Sequence, residues 1–293
     1  MADHADDGNE GGAGDRDIFV YRGGLAPLHV THVRIDKSVE VIDEDAFNCC
    51  EDLVQVDTHD GIRQVGERAF FGCKSLRSID LRSVLEIGMQ AFGGCENLTD
   101  VEFGDKLETI GIYAFDECTS LQRLKLTSII TIKHGAFHSC KALSSIEFSE
   151  RLETIERYAF CGCERLRHIA IPLKRDLFSI DPEWHEYNQF KDCDQLTTVD
   201  LVEGAHDKTV ASLHMESWRT EMKEEINRIN QDLLNTPAHE KTEPIKRWVD
   251  SVIDGMDHYK AEHLRYVKEA VTLLELALWK AKLGEKEEKS VDG

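Results

Sequence analysis

Nine cysteines and thirteen histidines are the side chains of this 293-residue chain best suited to chemistry. A thiolate can attack an electrophile, and an imidazole can move a proton or bind a metal near neutral pH. Their spacing argues against most of this. The tightest groups are Cys161-Gly162-Cys163 and the set His134, His138 and Cys140, and neither has the paired Cys-x-x-Cys spacing of a structural zinc site. The chain contains no Gly-x-Gly-x-x-Gly, no phosphate loop, no Gly-x-Ser-x-Gly elbow and no His-Glu-x-x-His. Carboxylate pairs such as Asp100 and Glu102 carry little catalytic information in a chain with 56 acidic residues. No catalytic residue, cofactor or metal is expected. Asn97-Leu98-Thr99 matches a glycosylation sequon, but Leu98 falls at a core position.

Those 56 acids face 35 lysines and arginines, for a net charge of -21. Phosphate binding needs a cationic surface, so nucleic acid is not an expected partner. No apolar run reaches the roughly 18 residues of a membrane span, so no membrane association is expected either. Met1 to Glu10 is acidic where a secretory signal would be basic and then apolar. The expectation is an intracellular, cytoplasmic protein whose thiols stay reduced.

The elements that must position these residues form a repeat. Ala-Phe recurs with Phe at 47, 70, 92, 115, 137 and 160, steps of 22 or 23, and Phe190 follows 30 later. Three residues after each Phe stands a cysteine (50, 73, 95, 118, 140, 163, 193), three further a leucine (53, 76, 98, 121, 143, 166, 196), and three further an apolar residue. The step alternates because one link, such as Leu81 to Val84 or Phe103 to Leu107, is two residues in some units and three in others; insertion at one fixed point marks a turn. Ile79-x-Leu81 has the period of a strand with one buried face. One unit of about 22 residues cannot bury enough apolar surface to offset ~1.5 kcal/mol of ordering entropy per residue, so units must stack. A solenoid is expected, with one short parallel strand per unit.

The string Cys73-Lys-Ser-Leu76-Arg-Ser-Ile79-Asp-Leu81, followed by Ile87-Gly88 and Ala91-Phe92, resembles the leucine-rich repeat. More narrowly it resembles the bacterial surface antigen A (BspA-like) type, over residues 30–203. The order of acidic tail, solenoid and helical C-terminus resembles leucine-rich repeat proteins of diatoms. The resemblance implies ligand binding by a solenoid and supplies no catalytic residues. It also implies a departure, because bacterial members are mostly secreted or surface-displayed.

The α/β-type repeat solenoid predicts which residues face outward. In Leu-x-x-Ile-x-Leu the residues two and four after the first leucine project from the concave sheet. One column then reads Gln55, Ser78, Asp100, Arg123, Ser145, His168 and Thr198, and the other Asp57, Asp80, Glu102, Lys125, Glu147, Ala170 and Asp200. Either this is a solvated strand face, or it is a docking strip with acidic ends and a basic centre for a basic or mixed-charge segment of another protein. The last unit carries about seven extra residues, which include Trp184, His185 and Tyr187. Insertions in a solenoid are expected to run outward, and this one either anchors an interface or plugs the end of the core.

Seven cysteines share one repeat phase and are expected as a buried, reduced ladder, which leaves the off-phase Cys49 and Cys161 as the more reactive thiols. Past about Gly204 the period becomes helical. Trp218, Met222, Ile226, Ile229 and Leu233 stripe a helix over 208–234, ended by Asn235-Thr236-Pro237. A second helix opens near Thr242, with Pro244 in its first turn, and runs to about Leu283; Gly255 is a candidate kink. Its stripe runs Ile245, Val249, Val252, Met256, Tyr259, His263, Tyr266, Ala270, Leu273 and Ala277, and from Leu264 a second stripe joins it: Val267, Val271, Leu274, Leu278. One short partner cannot cover both, so the distal half is expected on the solenoid or on another chain. The chain thus divides into a disordered acidic tail (1–17), the solenoid (18–207), a helical hairpin (208–284) and a charged tail (285–293). The function this favours is a non-catalytic protein-interaction scaffold. The rivals are a cysteine-dependent redox protein or enzyme, and a self-assembling protein, a homodimer for instance, joined through the C-terminal helix.

Overall fold

The computed structural model describes residues 18–180, 183, 187–202 and 216–288, the side chains of 216–219, 263 and 280–288 excepted. The acidic tail, Trp184, His185 and the last five residues lie outside them. In chain order the strands are β1 (Ile18–Tyr21), β2 (His32–Ile35), β3 (Val41–Ile42), β4 (Gln55–Asp57), β5 (Gln64–Val65), β6 (Ser78–Leu81), β7 (Glu86–Ile87), β8 (Asp100–Phe103), β9 (Thr109–Ile110), β10 (Arg123–Lys125), β11 (Thr131–Ile132), β12 (Ser145–Glu147), β13 (Thr154–Ile155), β14 (His168–Ile171) and β15 (Thr198–Leu201). Helices α1 (Glu216–Asn235) and α2 (Thr242–Glu288) follow, with a 3-10 turn at Ala238–Glu240 between them.

Six turns of the solenoid, those begun by β2, β4, β6, β8, β10 and β12, therefore hold two strands, where the sequence suggested one. The longer strands pair in parallel as β1-β2-β4-β6-β8 and β10-β12-β14-β15. The two-residue strands, built on the apolar pair that closes each unit, form a second continuous sheet, β3-β5-β7-β9-β11-β13. The first column is interrupted between β8 and β10, and there Val101 and Phe103 are only partly buried. The second sheet and the core beneath it cross this gap unbroken.

That core is a pair of ladders. The rings of Phe47, Phe70, Phe92, Phe115, Phe137, Phe160 and Phe190 stack 5.0–5.6 Å apart and within 8° of parallel. The repeat sets this spacing, because neighbouring strands lie about 4.8 Å apart. Beside them the thiols of Cys73, Cys95, Cys118, Cys140, Cys163 and Cys193 each donate to the carbonyl of the phenylalanine one turn earlier, at 3.1–3.3 Å. A cysteine is small enough for the site and satisfies a buried acceptor that alanine would leave single-bonded. The thiols thus form the expected buried ladder; burial raises their pKa values, that of Cys95 to about 12.

Glycine is required where turns approach closely. A Cβ on Gly111, in the Ile-Gly pair, would lie 2.5 Å from the Ile87 carbonyl oxygen.

Both ends are sealed. Tyr21 is fully buried at the head of the stack, 4.9 Å from Phe47, and its hydroxyl donates to Asp43. Burial lifts its pKa to about 12. At the other end the insertion turns partly inward, a correction to the expectation that it runs outward. Leu177 and Phe178 are buried, Leu177 accepts from the Ile155 amide at 2.6 Å, and Phe178 stands edge-on to Phe190. They stand in for the missing second strand of the last turn, because the open end of the Phe190 core is the nearest apolar surface. Helices α1 and α2 then cover that end. Thr242 Oγ1 accepts from the Phe190 amide and Asn230 Oδ1 from the Val199 amide, each at 2.8 Å. Met222, Ile229, Leu233, Ile245, Val249, Val252 and Met256 are buried as their stripes predict. The second stripe does not dock on the solenoid. Past Tyr259 the helix leaves the body with its large apolar side chains exposed.

Candidate functional site

Parallel pairing in register carries the outward residues into straight columns. Ser78 faces Asp100 and Asp80 faces Glu102 across β6 and β8; Arg123 faces Ser145 and Lys125 faces Glu147 across β10 and β12; Ala170 faces Asp200 across β14 and β15. The structure extends these columns by two strands that the sequence reading missed, with His32 and Arg34 of β2 opposite Gln55 and Asp57, and Ile18 and Val20 of β1 opposite His32 and Arg34. The Leu-x-x-Ile signature is degraded there, but His32-Val33-Arg34-Ile35 keeps the alternation that marks it.

The charges on this face are largely balanced within it. Arg34 sits 3.5 Å from Asp57, and Lys125 sits 3.7 Å from Glu147. Arg82, in the link after β6, clamps Asp80 and reaches Glu102 at 3.3 Å. Its hydrogen bonds hold the Asp80 carboxyl below the usual carboxylate range. Among the described residues Arg123 makes no ion pair, although it lies at the centre of the face. At the edge of the same half, Gln122, Ala142, Ser144, Arg165, Arg167 and Gln195 line an open cavity of about 500 Å³. The basic centre is therefore broader than the Arg123–Lys125 pair alone. Tyr187, from the insertion, is half-buried, with the Lys246 ammonium 5.6 Å from its ring centre, so the cap engages it.

The cysteine and histidine groups come together differently from their spacing in sequence. His134, His138 and Cys140 do not converge, because the Cys140 thiol points inward to the Phe115 carbonyl. The Arg157 guanidinium donates to His134 Nδ1 at 3.0 Å, which leaves Nε2 carrying the proton toward the Tyr113 oxygen at 2.8 Å. His138 instead shares a column with Asp116 and Cys161, the residues that directly follow Phe115 and Phe160. Its Nδ1 lies 2.8 Å from Asp116 Oδ1. Hydrogen bonding to Asp116 first, and to Cys161 second, lifts its pKa to about 10. Cys161 is only 7% exposed. Among the described residues no group of three ligands is placed to hold a metal. All nine cysteines are free, and Cys49 alone is exposed. Among the described residues no helix is long and apolar enough to cross a membrane.

Solved structures similar to the chain are leucine-rich repeat proteins. The one from T. pallidum is 25% identical over 70% of this chain and 92% of its own, with a TM-score of 0.49. That from Eubacterium ventriosum is 25% identical over 52% of this chain and 44% of its own, with a TM-score of 0.45. That from Bacteroides ovatus is 26% identical over 58% of this chain and 55% of its own, with a TM-score of 0.41. The chain thus covers less than half the length of the Eubacterium protein. No curated protein matches it. The pattern of the BspA type leucine-rich repeat region, in six copies, matches residues 26–128, 75–197 and 108–232. Those matches include both ladders and the whole polar strand face, and the chain belongs to the BspA type leucine-rich repeat family.

Proposed function

We propose that this protein is a non-catalytic scaffold that binds another protein across the polar face of its longer strands. Leucine-rich repeat proteins generally act in protein–protein interaction, on a repeat fold that is not enzymatic. The observation that carries the reading is the register: apolar side chains and ladder thiols fill the interior, and what remains outside is two polar columns, aligned within each of the two parallel sheets. A partner segment with mixed charge fits it best. Its basic residues would meet Asp57, Asp100, Glu102 and Asp200, and an acidic group would meet Arg123 beside the Arg165–Arg167 edge.

A photo-crosslinking residue placed at Arg123 or Ser145, and as a control at Met89 in the turn after β7, tests this in living cells. Adducts to the same protein from both strand-face positions, and none from Met89, are expected. Adducts from Met89 alone would remove the strand face from the reading.

A further inference from the structure

The unpartnered half of α2 has a defined geometry. Between residues 264 and 279, Leu264, Tyr266, Val267, Val271, Leu273, Leu274, Leu276, Leu278 and Trp279 are all 44–67% exposed. Five of them, Leu264, Val267, Val271, Leu274 and Leu278, alternate steps of three and four, which is the a/d seam of a heptad. The seam is flanked on one side by Lys268 and Glu275, one heptad apart at position e, and on the other by Ala270 and Ala277 at position g.

The charges around the seam select the occupant. Over 258–279 the segment holds Lys260, Arg265 and Lys268 against Glu262, Glu269 and Glu275, so it is neutral in a chain of charge -21 and does not repel its own kind. Arg265 pairs with Glu269, Lys260 with Asp257 and His258 with Glu262 along the helix. Among the described residues Lys268 and Glu275, the two that border the seam, have no ion-pair partner. In a parallel pair of helices position e meets position g, and these two charges would meet alanines. In an antiparallel pair e meets e, so Lys268 of each copy meets Glu275 of the other. The a/d layers that flank this pairing close around a centre one residue further along, with Val271 facing Leu274 and Val267 facing Leu278 of the second copy. That centre falls between residues 272 and 273. It is also the midpoint between Asp257, just past the buried Met256, and Glu288, where α2 ends. In that arrangement the tip of each helix reaches the base of its partner, and the two solenoids lie at opposite ends of the pair.

We infer that the distal half of α2 binds a second copy of this chain as an antiparallel two-helix pair centred between residues 272 and 273. This is independent of the strand-face reading, because it uses no residue of the solenoid.

The experiment uses full-length protein carrying Cys49→Ser, which removes the exposed thiol. Mixing a Val267→Cys variant with a Leu278→Cys variant under mild oxidation should give a disulfide-linked pair that neither forms alone. Light scattering of the unlinked chain should give twice the chain mass, and Leu274→Asp should reduce it to one chain with an unchanged thermal midpoint. Lys268→Glu or Glu275→Lys alone should weaken association roughly tenfold, and the double swap should restore it. A chain that stays monomeric at every concentration would overturn the inference, as would Val267→Cys linking to itself, which reports a parallel pair. Monomeric binding of the distal helix to anionic phosphatidylserine vesicles would likewise overturn it.

Discussion

His138 Nδ1 lies 2.8 Å from Asp116 Oδ1, a contact made because residues that follow Phe in successive turns stack one above the other. The Asp116 carboxylate, with the Cys161 thiol behind it, holds the imidazole protonated up to about pH 10. The unfolded value is 6.5. A folded pKa raised above the unfolded one makes a stabilising contribution that is complete below about 6.5 and is lost as pH rises through about 10. Imidazole NMR titration should show this high midpoint, and Asp116→Asn should bring it back toward the ordinary histidine range. A His138 that titrates near 6.5 in the native chain would contradict the geometry.

Thiol reactivity should fall into classes set by burial. Cys49 is exposed, and its thiol donates to Asn48 Oδ1 at 3.2 Å. It should react first with a thiol-specific reagent. Cys161 should follow more slowly, and the ladder thiols only on unfolding. Mass-spectrometric mapping against time checks the order, and early labelling of Cys118 would show that the core opens.

Within the ladder, Cys118→Ala removes the bond to the Phe92 carbonyl and leaves a small void. A loss of about 1–3 kcal/mol is expected in urea unfolding. Phe115→Ala opens the stack between Phe92 and Phe137 and should cost about 3–5 kcal/mol, with the same readout.

The C-terminal cap rests on two side chains that satisfy strand and turn amides. Thr242→Ala and Asn230→Ala each strand a backbone N–H, and each should cost about 1–3 kcal/mol. Hydrogen exchange should rise first at Phe190 and Val199, before the middle turns are affected.

On the strand face, reversing Asp80, Glu102 and Glu147 to lysine breaks the contacts to Arg82 and Lys125, all of them exposed. Each exposed pair is worth about 0–1 kcal/mol, so folding should be retained while partner capture is lost. Circular dichroism and capture of the crosslinked partner report the two effects separately; unchanged capture would exclude the strip.

The sequence alone determined the solenoid, because a 22–23-residue period of Phe, Cys and Leu has one solution that buries every repeat of it. It also determined which residues of each strand look outward, since alternation within a strand is local. It could not determine the second sheet, whose strands are two residues long and too short to show a period. Nor could it determine that Leu177 and Phe178 turn inward, because that depends on the open core they meet. The charge balance on the strand face was equally hidden. Arg34 stands in a degraded repeat and Arg82 in a link; only stacking brings Arg34 beside Asp57 and Arg82 beside Glu102, whereas Arg82 meets Asp80 within its own turn. The trio Asp116, His138 and Cys161 spans 46 residues of chain. Only the rise of one strand spacing per turn makes its members neighbours, so tertiary structure decided which side chains could act on one another.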